Sequence, residues 1–166
     1  YYALEITDPD NPKAAWEIKG GAAAAAANCG MTDAQASDGT RYDDCNIGLT
    51  FGNPLIVKRA SDGKWVVIFS SGYNNVSPGD GGGYLYVVDA QSGLILKRYG
   101  TNVSGTNVGT AATPSGLGRI NAWVDAAVSD NTALTVYGGD LQGNLWRFEL
   151  DGVTYPSVPL DSVSRL

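Results

Sequence analysis

One stretch of this sequence is written twice. Gly83-Tyr84-Leu85-Tyr86-Val87-Val88-Asp89 lies over Gly143-Asn144-Leu145-Trp146-Arg147-Phe148-Glu149, in each case a glycine, an aromatic-bearing strand pattern and a closing acid. Upstream of each, Ile68-Phe69-Ser70-Ser71-Gly72 lies over Thr135-Val136-Tyr137-Gly138-Gly139. The opening residues offer a third copy: Tyr2-Ala3-Leu4-Glu5-Ile6-Thr7 matches Tyr84 to Asp89, and Trp16-Glu17-Ile18 supplies the strand that follows. Repeats of this kind are small units that cannot cover both of their own faces, so neighbouring units must stack on them.

The strands within each repeat can be followed. Phe51 to Lys58, Trp65 to Phe69, Tyr84 to Asp89 and Leu94 to Arg98 are successive strand patterns, with Ser61-Asp62-Gly63 and Gln91-Ser92-Gly93 turning the chain. Ile120 to Val128, Ala133 to Tyr137 and Asn144 to Glu149 repeat the series around Ser129-Asp130-Asn131 and Gln142-Gly143, and Asp151-Gly152 is the next turn. The prediction is an all-β fold of β-propeller blades, each a four-stranded antiparallel meander. Roughly two to three blades fit, whereas propellers have at least about four. Residues 1–166 therefore read as a fragment of a single propeller domain, completed by the parent protein or by another chain. A plain β-sandwich is the alternative.

Two stretches stand outside the blades. Residues 20–48 form an inserted loop whose six alanines, Ala22 to Ala27, are too few to hold a helix unaided. Residues 101–117, rich in Thr, Asn, Ser and Gly, are expected to be a long surface loop. The chain opens directly on a strand pattern without Met, which reads as a mature or excised piece.

Composition narrows the chemistry. Histidine is absent, which excludes Ser-His-Asp catalysis and every His-ligated metal or haem site. Fourteen of the 17 acids are Asp, and glycine numbers 22, both favouring turns over helices. The net charge of -6 without a basic block disfavours nucleic acid as a partner. No apolar run approaches the roughly 20 residues of a membrane-spanning helix. Cys29 and Cys45, the only cysteines, flank a polar loop. A disulfide made in an oxidising compartment is the leading reading, with two free buried thiols as the alternative.

In order along the chain, several blocks resemble one known family. They are Leu4 to Pro12 with Trp16-Glu17-Ile18, Thr50-Phe51-Gly52-Asn53-Pro54, Trp65 to Phe69, Ser71-Gly72-Tyr73-Asn74-Asn75, Gly83 to Ala90, and finally Tyr137 to Phe148. Together they resemble the PilY-type adhesins, the type IV pilus tip-associated family. The resemblance implies a C-terminal propeller in a large exported protein at the pilus tip or cell surface of a Gram-negative bacterium. It implies roles in pilus assembly, control of retraction and adhesion. The partners it implies are minor pilins, the pilus tip, or a host or environmental surface.

Several members carry a calcium loop of the Asp-x-Asp-x-Asp-Gly kind before the Tyr-x-Gly-Asp strand. Here that position reads Val128-Ser129-Asp130-Asn131-Thr132, where only Asp130 and Asn131 remain as donors. Calcium takes about six to eight oxygens, so the loop is degenerate as a calcium site. Two looser oxygen groups, Asn74/Asn75/Asp80 and Asp38/Asp43/Asp44, read as ordinary turn chemistry.

Val87 to Gly93 also resembles the blade-docking motif of quinoprotein dehydrogenases, which runs on to a tryptophan; Arg98 falls near that position here. The motif is structural, so it supports a propeller rather than a cofactor. Asp89, Gly93, Asp140, Gly143 and Trp146 are accordingly assigned to blade structure, with Asp89 and Glu149 at equivalent positions accepting turn hydrogen bonds. Trp16, Trp65, Trp123 and Trp146 are expected to fill the wedges between blades. No catalytic set emerges, and no cofactor is implied. The leading function is a non-enzymatic, extracellular pilus module that presents its inserted loops to partners. A quinoprotein-like enzyme fragment and a purely structural surface scaffold are the alternatives.

Overall fold

The computed structural model describes residues 1–150 and 163–166. The chain opens on an antiparallel hairpin of β1 (Tyr2–Glu5) and β2 (Lys13–Glu17). A short β3 (Lys19–Gly20) then pairs in parallel with β4 (Asp43–Asp44), and the first insertion is looped out between them. That insertion holds two single 3-10 turns, Gly21–Ala23 and Ala26–Asn28, and a one-turn helix α1 (Asp33–Ala36). Thr32 caps α1 in a reciprocal capping box with Gln35, which offsets the weak propensity of so short a helix.

The first complete meander follows: β5 (Leu55–Arg59), β6 (Trp65–Ser70), β7 (Tyr84–Asp89) and β8 (Ile95–Gly100), each antiparallel to the next. The strand expected from Phe51 begins only at Leu55, after Pro54, which has no amide to give a ladder. In the second insertion, β9 (Asn102–Val103) and β10 (Thr106–Asn107) form a short hairpin within the stretch expected to be surface loop. Ser104 and Gly105 both have positive φ, 52° and 79°, as the two central residues of a tight hairpin turn require.

The second meander consists of β11 (Ile120–Ala126), β12 (Asp130–Gly139), β13 (Leu145–Glu149) and β14 (Val163–Arg165). The expected turn at Asp151-Gly152 lies outside the described residues. A two-residue parallel contact, Thr132 to Lys58 and Ala133 to Arg59, joins the two meanders.

The faces of β7 explain the architecture. Side chains alternate across a strand, and every residue from Tyr84 to Val88 is buried. Leu85 and Val87 enter one core with Val66, Ile68, Val136, Trp146 and Phe148 of the two meanders. Tyr84, Tyr86 and Val88 enter a second core, with Phe69, Ile18 and Ile47, against which Tyr1 and Trp16 pack. The first meander is therefore sandwiched between the second meander and the N-terminal segment, as a blade is between its neighbours. Leu117, the last residue of the second insertion, is fully buried in the first core, so that insertion ends inside the protein.

The tryptophans divide. Trp146 is fully buried and Trp16 is partly buried against the second core. Trp65 and Trp123 are 48% and 58% exposed. Trp123 sits on β11 beside Ala122, which packs against the first core, so alternation turns the indole to the opposite face. Val66 likewise takes the core-facing position next to Trp65.

Candidate functional site

The first insertion is folded back onto the blade. Arg98, on the last strand of the first meander, is the residue that holds it. Its Nε donates to Asp33 Oδ1 at 2.8 Å, Nη1 to Asp44 Oδ2 at 2.6 Å and Nη2 to the Met31 carbonyl at 2.5 Å. Its guanidinium also lies over the Tyr84 ring, 4.5 Å from the centroid. Burial works against the charge on Arg98, but the Tyr86 oxygen and the Asp44 and Asp33 carboxylates outweigh it and hold the pKa above its ordinary value. The same burial raises the Tyr84 and Tyr86 hydroxyls, with Asp80 and Asp44 respectively adding to it. The cluster is thus a fixed cation among acids and neutral phenols, suited to clamping chain segments together.

Cys29 and Cys45 are joined, with Cα atoms 5.1 Å apart, and no cysteine is free. The bridge closes the insertion beside Asp44. Asp43 adds a further tie, accepting from the Ala25 amide at 2.8 Å and from the Asn28 side chain. Through these ties the inserted loop of residues 20–48 lies along β8.

The blade residues assigned from sequence sit at two turns. Asp89 Oδ1 accepts from the Gln91 amide at 3.0 Å and from the Ser92 amide and hydroxyl at 2.7 and 2.9 Å. Gly93 follows with φ of 78°. Trp16 of the N-terminal hairpin packs on this turn, so close that a Cβ on Gly93 would stand 2.6 Å from its ring, and its Nε1 donates to the Ala90 carbonyl at 3.0 Å. The docking tryptophan therefore comes from a neighbouring hairpin, and Arg98 serves a different purpose.

At the second turn, Asp140 Oδ1 accepts from the Gln142 and Asn144 amides, both at 2.9 Å. Its Oδ2 accepts from the Asn144 side chain and from Trp146 Nε1, both at 2.8 Å, which satisfies the one polar atom of that buried indole. Gly143 takes φ of 83° there. Glu149 does not repeat the Asp89 role: it is buried, accepts from Thr135 Oγ1 at 3.1 Å and pairs with Arg147.

The oxygen-rich groups turn to separate partners within the protein, with the buried Asn75 Oδ1 left without a hydrogen-bond donor. Asp130 accepts from Thr132 Oγ1 at 2.8 Å and faces Lys58 Nζ at 3.5 Å. Asn131 donates to the Ile56 carbonyl at 2.9 Å. Asn75 donates to the Asn46 and Gly82 carbonyls, while Asp80 accepts from the Gly82 amide and the Tyr84 hydroxyl. Asp38, Asp43 and Asp44 each turn to separate partners, Asp38 being held near pKa 2 by Thr40 and Arg41. Among the described residues, no group of three or more acids or cysteines converges as a metal site.

The model of the PilY1 beta-propeller domain matches residues 1–163. The chain belongs to the PilY1 β-propeller family.

Among the family's curated members, the chain is 30% identical over 149 residues to the type IV pilus biogenesis factor PilY1 of Pseudomonas aeruginosa, covering 90% of this chain and 10% of that protein. It is 34% identical over 114 residues to a PilY1 homolog of Xylella fastidiosa, covering 66% of this chain and 7% of that one. The crystal structure of the P. aeruginosa PilY1 C-terminal domain superposes with a TM-score of 0.60 at 28% identity, covering 93% of this chain and 25% of that domain. The chain thus spans about a tenth of the length of the first of these PilY1 relatives. No helix among the described residues is long and apolar enough to cross a membrane.

Sequence reasoning found the turns and missed the clamp. Arg98 drew notice only for its place in a docking motif. Asp33 and Asp44 are far from it in the chain, and nothing local marks them as its partners.

Proposed function

We propose that this chain is a non-enzymatic propeller segment of an extracellular type IV pilus biogenesis factor, serving pilus assembly, control of retraction and surface adhesion. The observation that carries this reading is the family match over almost the whole chain, supported by the structural match to a PilY1 C-terminal domain. Its place is the cell surface or pilus tip, with minor pilins or an external surface as partners. The remaining blades come from the rest of the parent protein. Exposed Tyr2, Leu4 and Ile6 on the opening hairpin and Trp123 and Leu145 on the second meander support this, as faces suited to further blades.

In this reading Lys58, rather than a divalent cation, serves Asp130, and the module works without calcium. The Asp89 turn docks a neighbouring hairpin instead of framing a quinone.

The test is an in-frame deletion of this segment from the parent gene, with export of the remaining protein confirmed by immunoblot. Sheared surface pili and twitching zones are then measured. Loss of surface pili is expected. Normal piliation and motility with the deletion would leave only the scaffold role.

A further inference from the structure

The outer edge of the first meander is covered by something other than a strand. β8 pairs with β7 on one side. On the other, the amides of Ile95, Arg98 and Gly100 donate to the Arg41 carbonyl at 2.8 Å, Ser37 Oγ at 2.9 Å and Asp33 Oδ2 at 2.8 Å. All three acceptors belong to the first insertion, and only one is a backbone carbonyl. Asp33 also meets the Arg98 side chain. The insertion thus does at β8 what an added strand bearing an acid would do: it accepts from the outward amides and sets a carboxylate against the guanidinium. An unprotected edge of this kind is a template for strand addition.

The cover is held by polar contacts, with Met31 and Asp33 on the Arg98 guanidinium and Asp33, Ser37 and Arg41 on the β8 amides, and not by packing in either core. Of residues 21–43, only Ala36 is buried, so this stretch can leave β8 without opening either core. The Asp33 carboxylate is 37% exposed, where solvent weakens its hold on Arg98. Asp44, fully buried, stays with Arg98 when Asp33 departs. The Cys29–Cys45 bridge ties the stretch at its base, so it lifts without being lost.

We propose that residues 21–43 are a detachable guard over β8, and that the edge beneath receives an extended acidic segment of another polypeptide as an added strand. Charge selects this occupant. Arg98 Nε donates to the Asp33 carboxylate at 2.8 Å, so the position that the guard vacates beside Arg98 is one for an acid, and a second copy of β8, whose own charged residues are Lys97 and Arg98, brings none. An acidic strand would instead take over the bonds that Asp33 and Ser37 release. This inference does not rest on the pilus reading, since both its variant and its probe report on the edge itself.

Hydrogen exchange on the full-length polypeptide that carries this sequence tests it. In an Asp33→Ala/Ser37→Ala variant, the outward amides within 95–101, those of Ile95, Arg98 and Gly100, should exchange at least about ten-fold faster than in the parent, while the amides bonded toward β7, Thr101 among them, and β7 itself keep their protection. The probe is a synthetic peptide, Thr-Val-Asp-Val-Asp-Val-Thr, with Lys in place of both Asp as its counterpart. The acidic peptide should restore protection at these outward amides in the variant, and the lysine peptide should not. Asp33→Asn, which keeps the shape and removes the charge, should give the same ranking at smaller amplitude if the double variant folds poorly. Unchanged exchange at the outward amides, accelerated exchange throughout β7, or equal effects of the two peptides would each overturn the proposal.

Discussion

Arg98 Nη1 lies 2.6 Å from Asp44 Oδ2, with the two side chains 2% and 0% exposed. A pair withdrawn from water this fully adds little net stability over an apolar pair, yet removing one partner strands a buried charge. Arg98→Met should therefore cost about 3–5 kcal/mol. Adding Asp44→Asn, which removes the stranded charge, should recover more than half of that loss. Urea midpoints of the parent, single and double variants check this. A single variant as stable as the parent would show that Arg98 does not hold the insertion.

Gly93 and Gly143 separate backbone strain from packing. Both have positive φ, but only Gly93 has a neighbour where a Cβ would go, the Trp16 ring. Gly143→Ala should cost about 1–2 kcal/mol from the left-handed backbone alone. Gly93→Ala should cost about 1–3 kcal/mol beyond that, because Trp16 must move. Thermal unfolding of the two variants reads the difference, and equal losses would mean that Trp16 is not docked on the turn.

Acid should loosen the Asp89 turn. Burial raises the Asp89 pKa, but hydrogen bonds from the Ser92 amide and hydroxyl and from the Gln91 amide outweigh it, leaving the folded-state value lowered. A carboxylate shifted in this direction contributes stability that is present above its unfolded value of about 3.9 and fades as pH falls through the lower folded value. Asp89→Asn should therefore be less stable than the parent at neutral pH, with the gap closing below about pH 4. Unfolding temperatures from pH 7 down to pH 2 check this; a gap that stays constant would remove Asp89 from the acid response.

Calcium should leave the chain's stability unchanged. Lys58 and Thr132 already serve the Asp130 carboxylate, and Asn131 is tied to Ile56 through its amide nitrogen. Equal unfolding temperatures with millimolar calcium and with chelator are expected. A rise of several degrees with calcium would reveal a site that binds the folded state, and the degenerate-loop reading would fall.

What could be read directly was whatever depends on neighbours in the chain. Apolar, aromatic-rich runs that repeat placed Tyr84 to Asp89 and Asn144 to Glu149 in strands, and Asp-x-x-Ser-Gly announced the Asp89 turn, because a turn acid bonds to amides two or three residues on. The repeat then required stacking, since one small sheet cannot cover both its faces.

The sequence by itself determined the strands of the two meanders from β5 to β13, outside the insertions, the turns between them and the need for neighbouring blades. Tertiary structure decided which residues meet across the blades. Trp16 meets the Gly93 turn, and Arg98 meets Asp33 and Asp44, across long stretches of intervening chain. Alternation leaves each strand two faces, and only packing chose the core face for Trp146 and the open one for Trp123. The insertion shows the same division: its composition reads as loop, and it becomes a cover only because the edge of β8 leaves amides that something must satisfy.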